Sequence, residues 1–162
     1  MIQTDALNHE CPLTNRKMPE TEVILIRHGE TEWNVAQRFQ GHQDSDLTEK
    51  GKFQVETLGV RFQEEELDQL YSSDLLRTRK TAEAVSRGTG RQVELDVRLR
   101  EKNLGIFEGL NVSEIQKKYS DAYKAFKTGG SRYRIKSGES TLDLLVRGLE
   151  FLEEIRKKHE GR

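Results

Sequence analysis

The stretch Glu22-Val-Ile-Leu-Ile-Arg-His-Gly29 sets the frame for the whole chain. Val23 to Ile26 is a continuous, mostly β-branched apolar run. Such a run predicts a strand buried on both faces, as in the centre of a parallel sheet. Arg27, His28 and Gly29 follow at its C-terminal end, and in open α/β sheets the crevice beyond the strand C-termini is where ligands bind.

Working outward, strand and helix signals alternate. Thr48 to about Glu66 predicts a helix with Thr48 as N-cap and Val55, Leu58 and Phe62 as its apolar stripe. Gln69 to Ser72 predicts a short strand. Asp74 to Arg87 predicts a helix stopped by Gly88, and Gln92 to Asp96 a third strand. Ser113 to Phe126 predicts one further helix, followed by a loop through Thr128, Gly129 and Gly130. Ser140 caps a last helix reaching about His159, with Leu142, Leu145, Val146, Leu149, Leu152 and Ile155 as its buried face. This alternation predicts an α/β fold with a layered sheet. Residues 1–20 read as a flexible polar leader and residues 21–162 as one domain.

The bulk numbers agree with one domain and exclude several classes of partner. The chain has 162 residues, with 27 Lys plus Arg against 28 Asp plus Glu. So even a balance gives no global attraction to nucleic acid or an anionic membrane. The apolar fraction is 33% and the charged fraction 34%, polar for a globular domain. Cys11 is the single cysteine, so no internal disulfide can form. No run has membrane-spanning length, and the N-terminus lacks the apolar core of a signal peptide. The expected location is cytoplasmic. No Cys or His spacing suggests a metal site, and neither metal nor cofactor is expected.

The chemistry-bearing residues begin at Arg27-His28-Gly29. Neutral imidazole is a nucleophile near neutral pH. A phosphoryl group on it needs cationic and amide donors around its oxygens, and Arg27 and Asn34 can supply them. On spacing alone, the triplet fits a structural histidine beside a surface arginine equally well. Glu101 alone would read as a surface carboxylate.

Five ordered blocks resolve that ambiguity. Leu25-Ile-Arg-His-Gly-Glu-Thr-Glu-Trp-Asn34 resembles the signature of the histidine phosphatase superfamily, phosphoglycerate mutase-like branch. Gln40-Gly41-His42-Gln-Asp44 with Leu47-Thr48 and Gly51 resembles its next block. Ser73-Asp74-Leu-Leu-Arg77-Thr-Arg-Lys-Thr81-Ala82 is similar to the third. Leu99-Arg-Glu101, Gly105 and Phe107-Glu-Gly109 are similar to the fourth, and Ser137-Gly-Glu-Ser140 to the fifth. The resemblance implies a three-layer α/β/α sandwich around a mostly parallel sheet. It implies His28 as phosphoryl acceptor, Arg27 and Arg77 as phosphate clamps, and Glu101 as the acid/base. Asn34, Gln40 and Gly41 would line the substrate pocket. Arg77, near a helix start, would add the helix N-terminus to anion binding. His42 is expected to edge the pocket without a catalytic role, His159 to complement a helix dipole, and Trp33 to pack beside the site.

The resemblance also implies a second histidine in a Ser-His-Gly turn after one more apolar strand, and no such strand follows the last helix here. The domain is therefore expected to be incomplete at its C-terminus, lacking its last strand or strands and helix. Losing a central strand could remove several kcal/mol at about 25 cal/mol per Å², out of a total of about 5–15 kcal/mol. The isolated chain is expected to be marginally stable and weakly active or inactive. The expected function is phosphomonoester hydrolysis of a small phosphorylated metabolite through a phosphohistidine, without a metal. Phosphoglycerate mutase activity is the alternative, and a catalytically weak remnant binding a phosphorylated ligand or partner is a third reading. Hydrolysis is favoured because only 28 residues separate Gly109 from Gly138, both prolines lie in the leader, and Lys102-Asn-Leu104 follows Glu101 without an aromatic. A homodimer is a candidate assembly.

Overall fold

The computed structural model describes residues 20–161. All but the last residue of the expected leader, Cys11 included, lie outside the described residues.

The centre is a βαβ unit. Strand β1 (Leu70–Ser72) pairs in parallel with β2 (Val93–Leu95), in register Leu70 to Val93 and Ser72 to Leu95. The crossover helix, numbered below as α3, spans Leu76–Thr89. Before β1, a four-residue helix α1 (Glu32–Val35) is followed by α2 (Glu49–Arg61). After β2 come α4 (Val112–Lys118), α5 (Ser120–Thr128) and α6 (Thr141–Lys158). No helix among the described residues is long and apolar enough to cross a membrane.

Two clusters hold this arrangement. Phe62, Leu70 and Val85 are buried together, with Ile26, Leu58, Leu67 and Val93 packed around them. This cluster joins α2, α3 and both strands. The second contains Phe107, Ile115 and Ile135, all at 0% exposure, ringed by Phe39, Tyr119, Tyr123, Phe126 and Tyr133. Residues 104–135 thus build their own aromatic core beside the sheet.

The predicted elements mostly form, with four corrections. The stretch 22–27 forms no strand and belongs to no ladder, and Val23, Ile24 and Leu25 are exposed. A strand needs a neighbour for its N–H and C=O groups. Here a cavity of about 400 Å³, lined by Ile26, Phe62, Leu70, Val85, Phe151 and Ile155 among others, separates it from β1. Second, the stripe on α6 is not buried. Leu142, Leu145, Val146, Leu149 and Leu152 are all at least 40% exposed, while Phe151 and Ile155 make the helix's buried contact. Periodicity marks an apolar face but does not supply what covers it. Third, α3 runs through Gly88 and ends at Gly90, the left-handed C-cap. Gly88 serves close packing, since a Cβ there would lie 2.2 Å from the Gly59 carbonyl oxygen of α2. Fourth, the helix expected over Ser113–Phe126 breaks at Tyr119, whose φ of −139° is not helical. The break turns its ring toward Phe107, centroids 6.3 Å apart.

Gly51 joins the α2 N-terminus to the turn after His28. Its amide donates to the cap hydroxyl of Thr48 at 2.9 Å. A Cβ on Gly51 would sit 1.9 Å from the Glu30 carbonyl oxygen. In a free helix Ala beats Gly by about 1 kcal/mol, but overpacking against backbone costs about 1–3 kcal/mol. Gly51→Ala is therefore expected to lower the urea midpoint despite the better helix former, and an unchanged or raised midpoint would contradict the packing argument.

Candidate active site

His28 directly follows the 22–27 stretch. Its Nδ1 lies 2.7 Å from the Gly29 carbonyl oxygen. A carbonyl only accepts, so Nδ1 carries the proton and the Nε2 lone pair is left free. Burial pushes the His28 pKa below its ordinary value, the Gly29 carbonyl opposes that shift, and Arg77 and Arg27 add to it, while Glu101 pulls weakly the other way. The imidazole is thus held neutral. Arg77 and Glu101, distant in sequence, and the adjacent Arg27 thus lie near enough to influence the one histidine.

Arg77 is the most deeply buried charged residue described, at 2% exposure. Its Nη1 donates to the Gln43 carbonyl at 2.9 Å and to Asp44 Oδ1 at 2.7 Å, and its Nη2 donates to the Gly41 carbonyl at 2.8 Å. Its Nε is buried and has no partner among the described residues. A buried donor left open is rare and marks a place where an acceptor can bind. Arg27, by contrast, is exposed and makes no ion pair among the described residues.

The expected anion-binding helix N-terminus is filled. Asp44 accepts from the amide of Leu76 at 2.8 Å and of Arg77 at 3.4 Å. The positive end of α3 therefore holds a carboxylate of this chain, and Asp44 is both its cap and the partner of Arg77. Sequence reasoning quoted Asp44 in a block but assigned it no task.

Thr31 caps α1 in a capping box with Asn34, whose Oδ1 accepts from the Thr31 amide at 3.0 Å. The buried Thr31 hydroxyl also donates to Gln40 Oε1 at 3.1 Å. The side-chain oxygens of Asn34 and Gln40 are thereby engaged as acceptors, which leaves their amide nitrogens as the donors. Gly41 adopts φ +56°, and a Cβ would meet Glu108 Oε1 at 2.1 Å. That same Glu108 oxygen accepts the amides of His42 and Leu104, both at 2.9 Å.

Glu101 is exposed, and its Oε1 accepts the Lys102 amide at 2.7 Å. Its carbonyl is held by His42, whose Nε2 lies 3.0 Å away. His42 therefore ties the loop after α1 to the Glu101 loop, a structural task its sequence setting did not reveal. His159 ends α6, its Nε2 3.0 Å from the Tyr71 hydroxyl. It lies far in sequence from the blocks and contributes packing at the cavity wall. Trp33 packs on Gly109, as expected.

The chain resembles known proteins in both sequence and fold. The family model described as histidine phosphatase superfamily (branch 1) matches residues 23–162. A curated relative from Escherichia fergusonii, named "Probable phosphoglycerate mutase GpmB", is 40% identical over 126 residues, covering 78% of this chain and 59% of the relative. The chain thus spans about three fifths of that relative's length. Among solved structures, Bacillus stearothermophilus YhfR is 41% identical with a TM-score of 0.75, covering 83% of this chain and 67% of that one. A mycobacterial glucosyl-3-phosphoglycerate phosphatase in complex with VO3 is 31% identical with a TM-score of 0.72, covering 81% and 62%. These likenesses agree with an α/β fold whose described sheet is small and parallel. With a neutral histidine among two arginines and a glutamate, and a family model matched from Val23 onward, the chain belongs to the histidine phosphatase superfamily, branch 1.

Proposed function

We propose that this protein transfers a phosphoryl group from a small phosphomonoester to His28 and then to water. The observation that carries this reading is the state of His28: neutral, Nδ1–H committed to Gly29, Nε2 free. Arg77, with its buried open Nε, acts on the same histidine.

The first step forms a bond from His28 Nε2 to phosphorus and breaks the bond from phosphorus to the ester oxygen. The leaving oxygen takes a proton from the Glu101 carboxyl. Arg27 and Arg77 neutralise charge on the phosphoryl oxygens, and Asn34 and Gln40 donate to the phosphate or the leaving group. In the second step water attacks phosphorus, Glu101 as carboxylate takes its proton, and the N–P bond breaks to restore neutral His28.

Hydrolysis is preferred to mutase chemistry because residues 110–137 form only a short segment, packed on Phe107, and both prolines of the chain lie before residue 20. Relatives carry both kinds of name, so the two outcomes are tested together. Incubation with 3-phosphoglycerate and with p-nitrophenyl phosphate is expected to release inorganic phosphate and to leave an alkali-stable, acid-labile phosphoprotein. Formation of 2-phosphoglycerate without phosphate release would favour the mutase. No phosphoprotein and no transfer would overturn the reading for this chain, leaving a ligand-binding role, which calorimetry with inorganic phosphate would then measure.

A further inference from the structure

The fifth sequence block, Ser137 to Ser140, touches none of the groups that act on phosphate. Its Glu139 instead grips the loop that carries Glu101. Glu139 Oε2 accepts the Asn103 amide at 2.8 Å, and the Glu139 amide donates back to the Asn103 carbonyl at 2.9 Å. Gly138 permits this approach, since a Cβ there would lie 2.7 Å from the Asn103 carbonyl oxygen.

Arg147, two turns into α6, completes the grip. Its Nε donates to Glu139 Oε1 at 2.6 Å and its Nη2 to Glu139 Oε2 at 2.9 Å. Two further hydrogens go to backbone. Nη1 donates to the Arg98 carbonyl, and Nη2 also donates to the Glu101 carbonyl at 3.0 Å. Both partners are largely shielded, at 17% and 16% side-chain exposure. Burial alone would raise the Glu139 pKa, but the donors from Arg147 and Asn103 outweigh it and hold the carboxyl below its usual range. The pair is therefore ionised, planar and bidentate, the geometry that fixes orientation best.

The Glu101 side chain has no comparable anchor. It is exposed and touches only the next amide. Its position is set through its backbone, by Arg147 from one side and His42 from the other.

We propose that Arg147, braced by Glu139, is a positioning residue for Glu101: it fixes the loop from Arg98 to Asn103 so that the acid meets the leaving oxygen. This rests on the acid role given to Glu101 above. A displacement of about 1 Å at a reacting group can cost about a hundredfold, while general acid catalysis is worth about 10²–10⁴. The effect must depend on the leaving group. A good leaving group such as p-nitrophenolate departs without a proton, and a poorer one such as phenolate needs it.

The test compares phosphoryl transfer from p-nitrophenyl phosphate and phenyl phosphate in the full chain and its variants. Arg147→Met is expected to slow transfer from phenyl phosphate more than about tenfold and from p-nitrophenyl phosphate less than about threefold, with KM little changed. Arg147→Lys and Glu139→Gln should give intermediate losses with the same selectivity, and they carry the comparison if Arg147→Met does not fold. In a Glu101→Gln background the Arg147→Met penalty on phenyl phosphate should disappear. Equal losses on both substrates, or full additivity with Glu101→Gln, would overturn the positioning role. If Glu101→Gln itself shows no leaving-group dependence, the acid assignment falls first, and the inference about Arg147 with it.

Discussion

His28→Ala is expected to lower the proposed phosphoryl transfer by more than about a thousandfold, equivalent to about 4 kcal/mol of barrier, because no other described side chain offers a free neutral nitrogen at this position. Folding should barely change. The substitution loses one local contact, Nδ1–H to the Gly29 carbonyl, and relieves a half-buried ring held between like-charged neighbours, so the urea midpoint should shift by no more than about 1 kcal/mol. Activity and stability thus separate, and a variant that keeps its phosphoprotein signal would refute His28 as acceptor. The pH dependence follows from the same residue. Because burial lowers the folded His28 pKa, the nucleophile stays neutral to lower pH than a free histidine, and the transfer rate should rise with pH to a plateau whose midpoint lies below the ordinary histidine value. The stability sign is consistent: between the folded and unfolded pKa values the unfolded chain binds more protons, so His28 contributes to a loss of stability as pH falls through the ordinary histidine range. His28→Ala should flatten that part of the stability profile.

Arg77→Met has the second large effect, and it acts on both folding and phosphate. Methionine fills much of the stem's volume but strands the Gly41 and Gln43 carbonyls and one Asp44 oxygen. Removing one partner of a buried pair costs about 3–5 kcal/mol. The Asp44 side chain keeps 21% exposure and two helix amides, which soften the loss. An effect of about 2–4 kcal/mol is expected, a large part of a typical domain's stability of about 5–15 kcal/mol. Orthovanadate or inorganic phosphate should raise the melting temperature of the parent chain and fail to do so for the variant. A variant destabilised by less than about 1 kcal/mol that still gains stability from phosphate would show that Arg77 is neither a keystone nor a clamp. Arg79, two residues on, is exposed and pairs with Glu83, so Arg79→Met provides the matched control.

Residues 22–34 show why legibility differed between motif and fold. Arg27, His28 and Asn34 belong to a block that resembles one family, and the family match bears out that membership. The strand status of 22–27 was not readable in the same way. Apolar, β-branched residues favour extended backbone, but a strand exists only if another strand meets it. The α6 stripe makes the same point for helices: Thr141–Lys158 forms as its capping box and periodicity require, yet five of its apolar side chains stay exposed. Gly88 misled because close packing against α2 overrode a helix-stop signal, and Tyr119 because packing in the aromatic cluster broke a helix that carries no such signal.

The sequence by itself determined the family, most of the helices and the helix caps at Thr48 and Ser140. Each depends on neighbours within a few positions or on patterns a chain carries wherever it folds. Only the tertiary structure decided which nitrogen of His28 is free, that Asp44 and not a ligand fills the α3 N-terminus, and that Glu139 and Arg147 hold the Glu101 loop. The Asp44 contacts and those that tie Glu139 and Arg147 to the loop join residues 32 to 49 positions apart. Hydrogen bonds and desolvation act over a few ångströms of space, a distance no local pattern in a sequence encodes.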